Sequence, residues 1–211
     1  MKKNSISIPF LYLLSKDNPI ERWFLYVVWI LIPLPFILPQ SDIITSTTIF
    51  QYLGIFVPAA QKLAHLALYP NVYEAYIVLV GYITLICGFG AYIGGFPENQ
   101  NKLTKIAEDM KVYKAIFAVG KALLLGFPLV FIMLYIFYVF PFSTPEVTNV
   151  EDAHTRGQLM FNALLQSRVG LFLFGICISI AVVGLWYLMF ALFSAAISFP
   201  YLLIKKIKRT K

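Results

Sequence analysis

Few side chains in this sequence are of a type that makes or breaks bonds. The two histidines are His65 and His154, and the two cysteines are Cys87 and Cys177. Both cysteines lie in the middle of apolar runs, where a free thiol behaves as a small hydrophobe. Neither has a histidine at comparable depth, so a cysteine or serine nucleophile activated by a neighbouring base is not expected. Disulfide exchange would need cysteine pairs outside the apolar runs, and there are none. Haem held between helices needs axial ligands within them, usually histidine, and both histidines fall in the more polar connecting stretches. Glu151, Asp152 and His154 form the one compact group of metal-ligating types. Zinc takes three or four such ligands and a hard cation takes more oxygens than this group offers, so a solvated charged loop is expected there. No catalytic residue, no cofactor site and no metal site is expected.

One ionisable residue has an unusual position. Lys121 stands alone within an apolar stretch, seven residues beyond Lys114, and Glu74 sits at the edge of another. Ion and proton pathways through lipid are built from buried ionisable groups. A single lysine makes no relay. It either snorkels along its own stem to the nearer surface or turns inward as an intramembrane polar contact, meeting a carbonyl bared by Pro128 or an acid on a partner.

The elements that must position these residues follow from composition. Of 211 residues, 60% are apolar and 13% charged, with a mean hydropathy of +0.78. Soluble domains carry roughly 45–50% apolar and about 25% charged residues. This composition excludes disorder and a disulfide scaffold and specifies an all-α integral membrane protein. A helix crossing about 30 Å of hydrocarbon needs roughly 20 apolar residues. Four stretches meet that length: 20–38, 72–96, 115–142 and 169–204. The opening Met1-Lys2-Lys3 leads into an apolar run that is short and broken by Pro9, and no small-residue cleavage site follows. The N-terminus is expected to be retained.

Charge sets the threading. With four spans and the N-terminus inside, Lys2, Lys3, Lys16, Arg22, Lys102, Lys105, Lys111, Lys114, Lys205, Lys206, Lys208, Arg209 and Lys211 face the cytoplasm, and Lys62, Arg156 and Arg168 face out. Promoting 43–60 to a fifth span leaves seven cations inside and nine outside. The positive-inside rule favours four spans with both termini cytoplasmic. The segment 43–69 then lies on the outer side, and its second half, with Lys62 and His65 three apart among leucines, reads as an interfacial or re-entrant helix. A further outer loop spans 143–168, with Glu146 and Arg156 beside the acidic group, and a short helix is expected in its latter half. The tail 205–211 is a cytoplasmic basic segment. Its Lys205, Lys206, Lys208 and Arg209 are expected to meet anionic lipid headgroups, not nucleic acid. There is room for one domain.

Proline and glycine add local detail. Pro33, Pro35 and Pro39 should end the first regular helix near Ile32, and Pro128 should kink the third span. The fourth stretch, 36 residues at 1.5 Å each, is about 54 Å long, so it must tilt or protrude, with a break near Pro200. Trp23 and Tyr26 suit the inner interface, and Tyr69, Tyr73, Tyr76, Tyr135 and Tyr138 the outer one. Gly81, Gly88 and Gly95 recur every seven residues, and Gly90 and Gly94 form a GxxxG. Small residues in such rows let helices approach closely. These five glycines are the expected helix-packing or partner interface. Gly120, Gly170, Gly175, Ser179 and Gly184 repeat the pattern more weakly.

The layout of four spans, cytoplasmic ends, a long first outer segment and a basic C-terminal tail resembles the immunity proteins that guard bacterial membranes against pore-forming colicins. The likeness is one of architecture and assigns no residue a role. Three functions remain. The first is a non-catalytic subunit or accessory protein of a larger membrane assembly in the bacterial inner (plasma) membrane, working through helix contacts with a membrane-protein partner or with copies of itself. The second is an immunity or exclusion protein that blocks a toxin or another membrane protein. The third, disfavoured by the scarcity of chemical groups, is a small-solute transporter or membrane enzyme.

Overall fold

The computed structural model describes residues 19–31, 33–64, 67–139 and 164–210, and all of its regular structure is helical. The elements are α1 (Pro19–Leu31), α2 (Leu34–Ile37), α3 (Thr48–Ile55), α4 (Pro58–Ala64), α5 (Pro70–Asp109), α6 (Val112–Tyr138) and α7 (Arg168–Thr210). His65, His154, Glu146, Glu151, Asp152, Arg156 and the residues 140–142 that close the expected third span lie outside the described residues.

Three of these helices, α5, α6 and α7, are long and apolar enough to cross a membrane. They are built from the second, third and fourth apolar stretches of the sequence, but two of them run further than hydropathy implies. α5 continues through Pro97 and a polar dozen residues to Asp109. α7 continues through Pro200 to Thr210, so the break expected there is absent. A proline removes one backbone donor and crowds the preceding turn, and tertiary contacts offset that cost here. Leu103 and Ala107 of α5, Ala115 and Val119 of α6, and Phe199 and Leu203 of α7 form a small apolar core around these extensions. Gln100 Nε2 also donates to Ser194 Oγ and Ser198 Oγ, at 2.9 and 3.2 Å.

The contacts fix relative direction. Tyr76 meets Gly175, Gly88 meets Trp186, and Ala107 meets Lys206, so α5 and α7 run parallel. α6 runs against both: Ala115 packs beside Leu203, Phe127 beside Phe193, and Tyr138 beside Gly81 and Trp186. α1 also runs against α5, with Trp23 over Gly90 at one end and Asn71 Nδ2 donating to Gln40 O (3.0 Å) just past α2 at the other. α1 ends at Leu31, ahead of Pro33 and Pro35, as the prolines imply.

α6 stops well short of the start of α5. Its last turn is level with Gly81, eleven residues (about 16 Å of helix) below Pro70. A helical hairpin made by α3 and α4 fills the space above it. Thr47 caps α3 by accepting from Phe50 N–H at 3.3 Å, and Pro58 opens α4. The tip reaches the same level: Tyr82 donates its hydroxyl to Leu53 O (3.1 Å), and Val57 packs at Gly81.

Cations close three helix ends. The last carbonyls of a helix lack intrahelical partners and carry the negative end of its dipole. Arg168 Nη1 donates to Phe36 O of α2 at 2.8 Å, with its guanidinium 5.5 Å from the Tyr69 ring. Lys62 Nζ lies 3.4 Å from Val139 O, just past α6. Lys206 Nζ donates to Ala107 O, Glu108 O and Met110 O at 2.8, 2.9 and 2.7 Å, gathering the carbonyls at the end of α5. Lys206→Met should lower stability by about 1–2 kcal/mol and open the α5–α6 link. Thermal unfolding in detergent and faster tryptic cleavage at the exposed Lys111 would register both effects.

Candidate functional site

The seam where α5, α6 and α7 meet holds a linked set of polar and aromatic contacts. Tyr138, at the end of α6, donates its hydroxyl to Gly81 O (2.7 Å) and accepts from Trp186 Nε1 (3.0 Å), so one hydroxyl joins three helices. Its ring meets Trp186 edge-on at 5.9 Å, and Trp186 stacks on Phe190, which reaches Phe89 and Tyr92 of α5. Thr84, fully buried, places its hydroxyl 2.7 Å from Val80 O and 3.0 Å from Gly81 O, and Ser179 turns back to Gly175 O. Each hydroxyl is spent on the helices themselves.

The expected glycine interface divides among several neighbours. Gly81 faces Tyr138 and Val57, where an added Cβ would lie 3.2 and 3.3 Å away. Gly88 faces α7, where a Cβ would collide with Trp186 Cβ and lie 3.1 Å from Val183 O. Gly90 faces α1, covered by the Trp23 indole. Gly95 is buried and Gly94 is exposed. At 100° per residue, positions two apart on α5 point to different neighbours, which is how one helix touches α1, α6 and α7. Of the weaker glycines, Gly175 receives Tyr76 and Gly170 lies against Leu164, while Gly120 and Gly184 have open space.

Tyr73 and Tyr76 are 1% and 0% exposed, so these two face the bundle interior and not an outer aromatic belt. The Tyr76 hydroxyl, pressed against Gly175, has no hydrogen-bond partner among the described residues. Burying a hydroxyl unpaired costs about 1–3 kcal/mol. Tyr76→Phe is therefore expected to leave thermal unfolding unchanged or raise stability by about 1 kcal/mol. A clear loss would show that the hydroxyl has a role.

Lys121 is exposed on α6, two residues from Val119 in the small core that joins the extensions of α5 and α7, and makes no polar contact among the described residues. It stands at the height of the charged part of α5, where an ammonium is readily solvated. There Glu98 and Lys102 form an exposed pair at 2.7 Å. The Lys102 hydrogen bond and charge hold the Glu98 carboxyl below the usual range, and Glu98 raises Lys102 in turn. A depressed carboxyl pKa means the pair's contribution is present at neutral pH and is lost as acid takes the pH down through that pKa. Among the basic-tail residues Lys205 and Lys208 are exposed, Lys206 has the protein partners given above, and the side chain of Arg209 is outside what is described. No cluster of three or more metal-ligating side chains occurs among the described residues.

The cavity beside the seam has no signature in the sequence. Phe56 at the hairpin tip, Tyr82 and Leu85 of α5, Phe131 and Leu134 of α6, and Met189 of α7 line a space of about 490 Å³ on the flank between α5 and α6. It exists because these two helices, joined by a two-residue link, diverge: α6 packs mainly on α7 and has little contact with α5. Hydropathy shows which residues are apolar but not which neighbouring helices part. No family model, curated protein or solved structure matches this chain.

Proposed function

We propose that this chain is a non-catalytic inner-membrane protein of a bacterium that crosses the bilayer four times, with both termini cytoplasmic, and acts through helix contacts as a subunit or accessory protein of a membrane assembly. The fourth crossing is α1 with α2. Trp23 and Gln40 bracket α5 from Gly90 to Asn71, nineteen residues or about 29 Å of helix, close to the thickness of the hydrocarbon. Opposite directions for α1 and α5, and for α6 and α7, agree with the distribution of cations. In this orientation the α3–α4 hairpin is a re-entrant element entering from the outer face, and its polar backbone is sheltered by α5 and α6. Lys205 and Lys208 face the anionic headgroups of the inner leaflet.

The observation that carries the assembly role is the uncovered face of α6. Phe117 is 73% exposed, Leu124 75% and Phe131 63%, and Leu125 and Leu129 join them along the same helix. Within lipid such a face is free to receive another apolar helix, and association there depends on close packing. A photo-crosslinking residue in place of Leu124, activated in native membranes, should give a discrete protein adduct in stoichiometric yield. The same residue in place of the buried Leu134 should give none. Lipid adducts alone at Leu124, from a protein that stays monomeric in mild detergent, would contradict the proposal.

A further inference from the structure

The groove between α5 and α6 brings two hydrogen-bond donors to a depth where the bilayer supplies no acceptor. Lys62 Nζ lies 3.4 Å from Val139 O, at the head of the groove that Val139 and Phe56 line. Val139 follows Tyr138, whose hydroxyl reaches Gly81 O, and Gly81 is ten residues or about 15 Å of helix below Asn71 at the outer edge. That places the ammonium about midway through the hydrocarbon, below any lipid headgroup. An ammonium carries three donors, and one long contact to a helix end leaves the others unspent. Lys62 is exposed, and no carboxylate pairs with it among the described residues. Tyr135, one turn below Val139 on α6, lines the same groove, and its hydroxyl makes no hydrogen bond among the described residues. The other hydroxyls that line it are spent within the chain, Tyr138 on Gly81 and Tyr82 on Leu53.

A cation in hydrocarbon is held by a counter-charge. We propose that the groove receives a helix of a partner membrane protein whose apolar span carries an aspartate or glutamate, with that carboxylate at Lys62 and a second acceptor on the same helix for Tyr135. The proposal rests on the open face of α6 being a partner surface and gives the chemistry of that partner. Phe117, Leu124 and Phe131 recur every seven residues along that face, the spacing of a helix seam, and Phe131 carries the row into the groove. From Phe131 to Val139 the groove runs eight residues or about 12 Å. Its volume of about 490 Å³ gives room for several side chains of the docked helix. Val139 is fifteen residues or about 22 Å beyond Leu124 on the same face, which fixes where on the partner the acid lies.

The test uses the photo-crosslinking residue in place of Leu124 in native membranes, with sequencing of the captured peptide. Lys62→Gln should lower the yield of the protein adduct at least about tenfold, while Lys62→Arg keeps it. The captured helix should carry an Asp or Glu about fifteen residues from the crosslinked position. Exchanging the charges, Lys62→Glu in this chain and lysine for that acid in the partner, should restore the yield, which a merely structural role of Lys62 would not allow. Full yield from Lys62→Gln, or a captured helix with no acid at that distance, overturns the proposal and leaves the partner surface standing. Loss of yield from the joint variant Glu146→Gln, Glu151→Gln, Asp152→Asn, with no acid needed in the partner, also overturns it, because the counter-charge would then be the chain's own. Lipid adducts alone with Lys62 intact overturn the partner surface as well.

Discussion

Gly88→Leu should be the most damaging single substitution on α5, lowering stability by about 3 kcal/mol or more. The reason is where the new atoms would go. A Cβ at this position already collides with Trp186 Cβ and comes within 3.1 Å of Val183 O. These are backbone or backbone-proximal atoms of a parallel helix, so no side-chain rotamer relieves the clash. α5 and α7 would have to separate along the most extensive helix–helix contact among the described elements. Gly94→Leu is the matched control, because Gly94 is exposed on the same helix. It should be close to neutral in detergent, where helix propensity even favours it. Thermal unfolding of both variants by circular dichroism, with size-exclusion profiles, separates them. Equal behaviour would mean that α5 and α7 are not in close contact at Gly88.

Tyr138→Phe is expected to have the next largest effect, a loss of about 1–2 kcal/mol. It keeps the ring and its edge contact with Trp186 but removes one donor and one acceptor. The Trp186 indole N–H then has no partner among apolar neighbours, and that desolvation cost, more than the loss of the bond, drives the change. Gly81 O keeps the nearby Thr84 hydroxyl. The tryptophan emission of the Trp23→Phe, Trp29→Phe protein gives a local readout, since loss of this bond should shift the Trp186 band. Unchanged stability and an unchanged band would mean that the three helices do not meet through this hydroxyl.

The two substitutions also show which features can be read from the sequence. Helix identity was legible: the stretches 72–96 and 169–204, and the stretch 115–142 as far as Tyr138, lie on long helices, and Pro33 and Pro35 mark the end of α1. Helix length was not. The polar residues after Phe96 read as a loop, yet Leu103, Ile106 and Ala107 recur at the spacing of one helical face, and that face packs on α6 and α7. Pro200 reads as a break because a proline's local cost is visible in sequence, whereas the contacts that offset it are not. The glycines of α5 signalled close approach, but their partners depend on which helix lies on which side. Gly88 and Gly90, two residues apart, meet α7 and α1. In the sequence Tyr73, Tyr76 and Tyr138 look like parts of an interfacial belt, because tyrosine is enriched there. The short reach of α6 and the hairpin above it bring Tyr138 into the seam, while Tyr73 and Tyr76 pack into the core of α5. In the sequence Lys62 looks like an outer cation and Lys206 like a headgroup contact, yet both lie at helix C-termini. Pairing of that kind depends on tertiary arrangement and leaves no local trace.

Threading is the premise on which the remaining inferences stand, and labelling single cysteines with an impermeant thiol reagent tests it most directly. In a background of Cys87→Ala and Cys177→Ala, cysteine is placed in turn at Asn4, Lys105, Lys208 and Ser41 of the protein in intact cells, Ser41 being exposed beside Gln40 at the outer edge. Four crossings require that Asn4→Cys, Lys105→Cys and Lys208→Cys react only after the membrane is permeabilised, while Ser41→Cys reacts from outside. Reaction of Asn4→Cys in intact cells, with Lys105→Cys still protected, would mean that α1 and α2 do not cross and that the bundle has three spans.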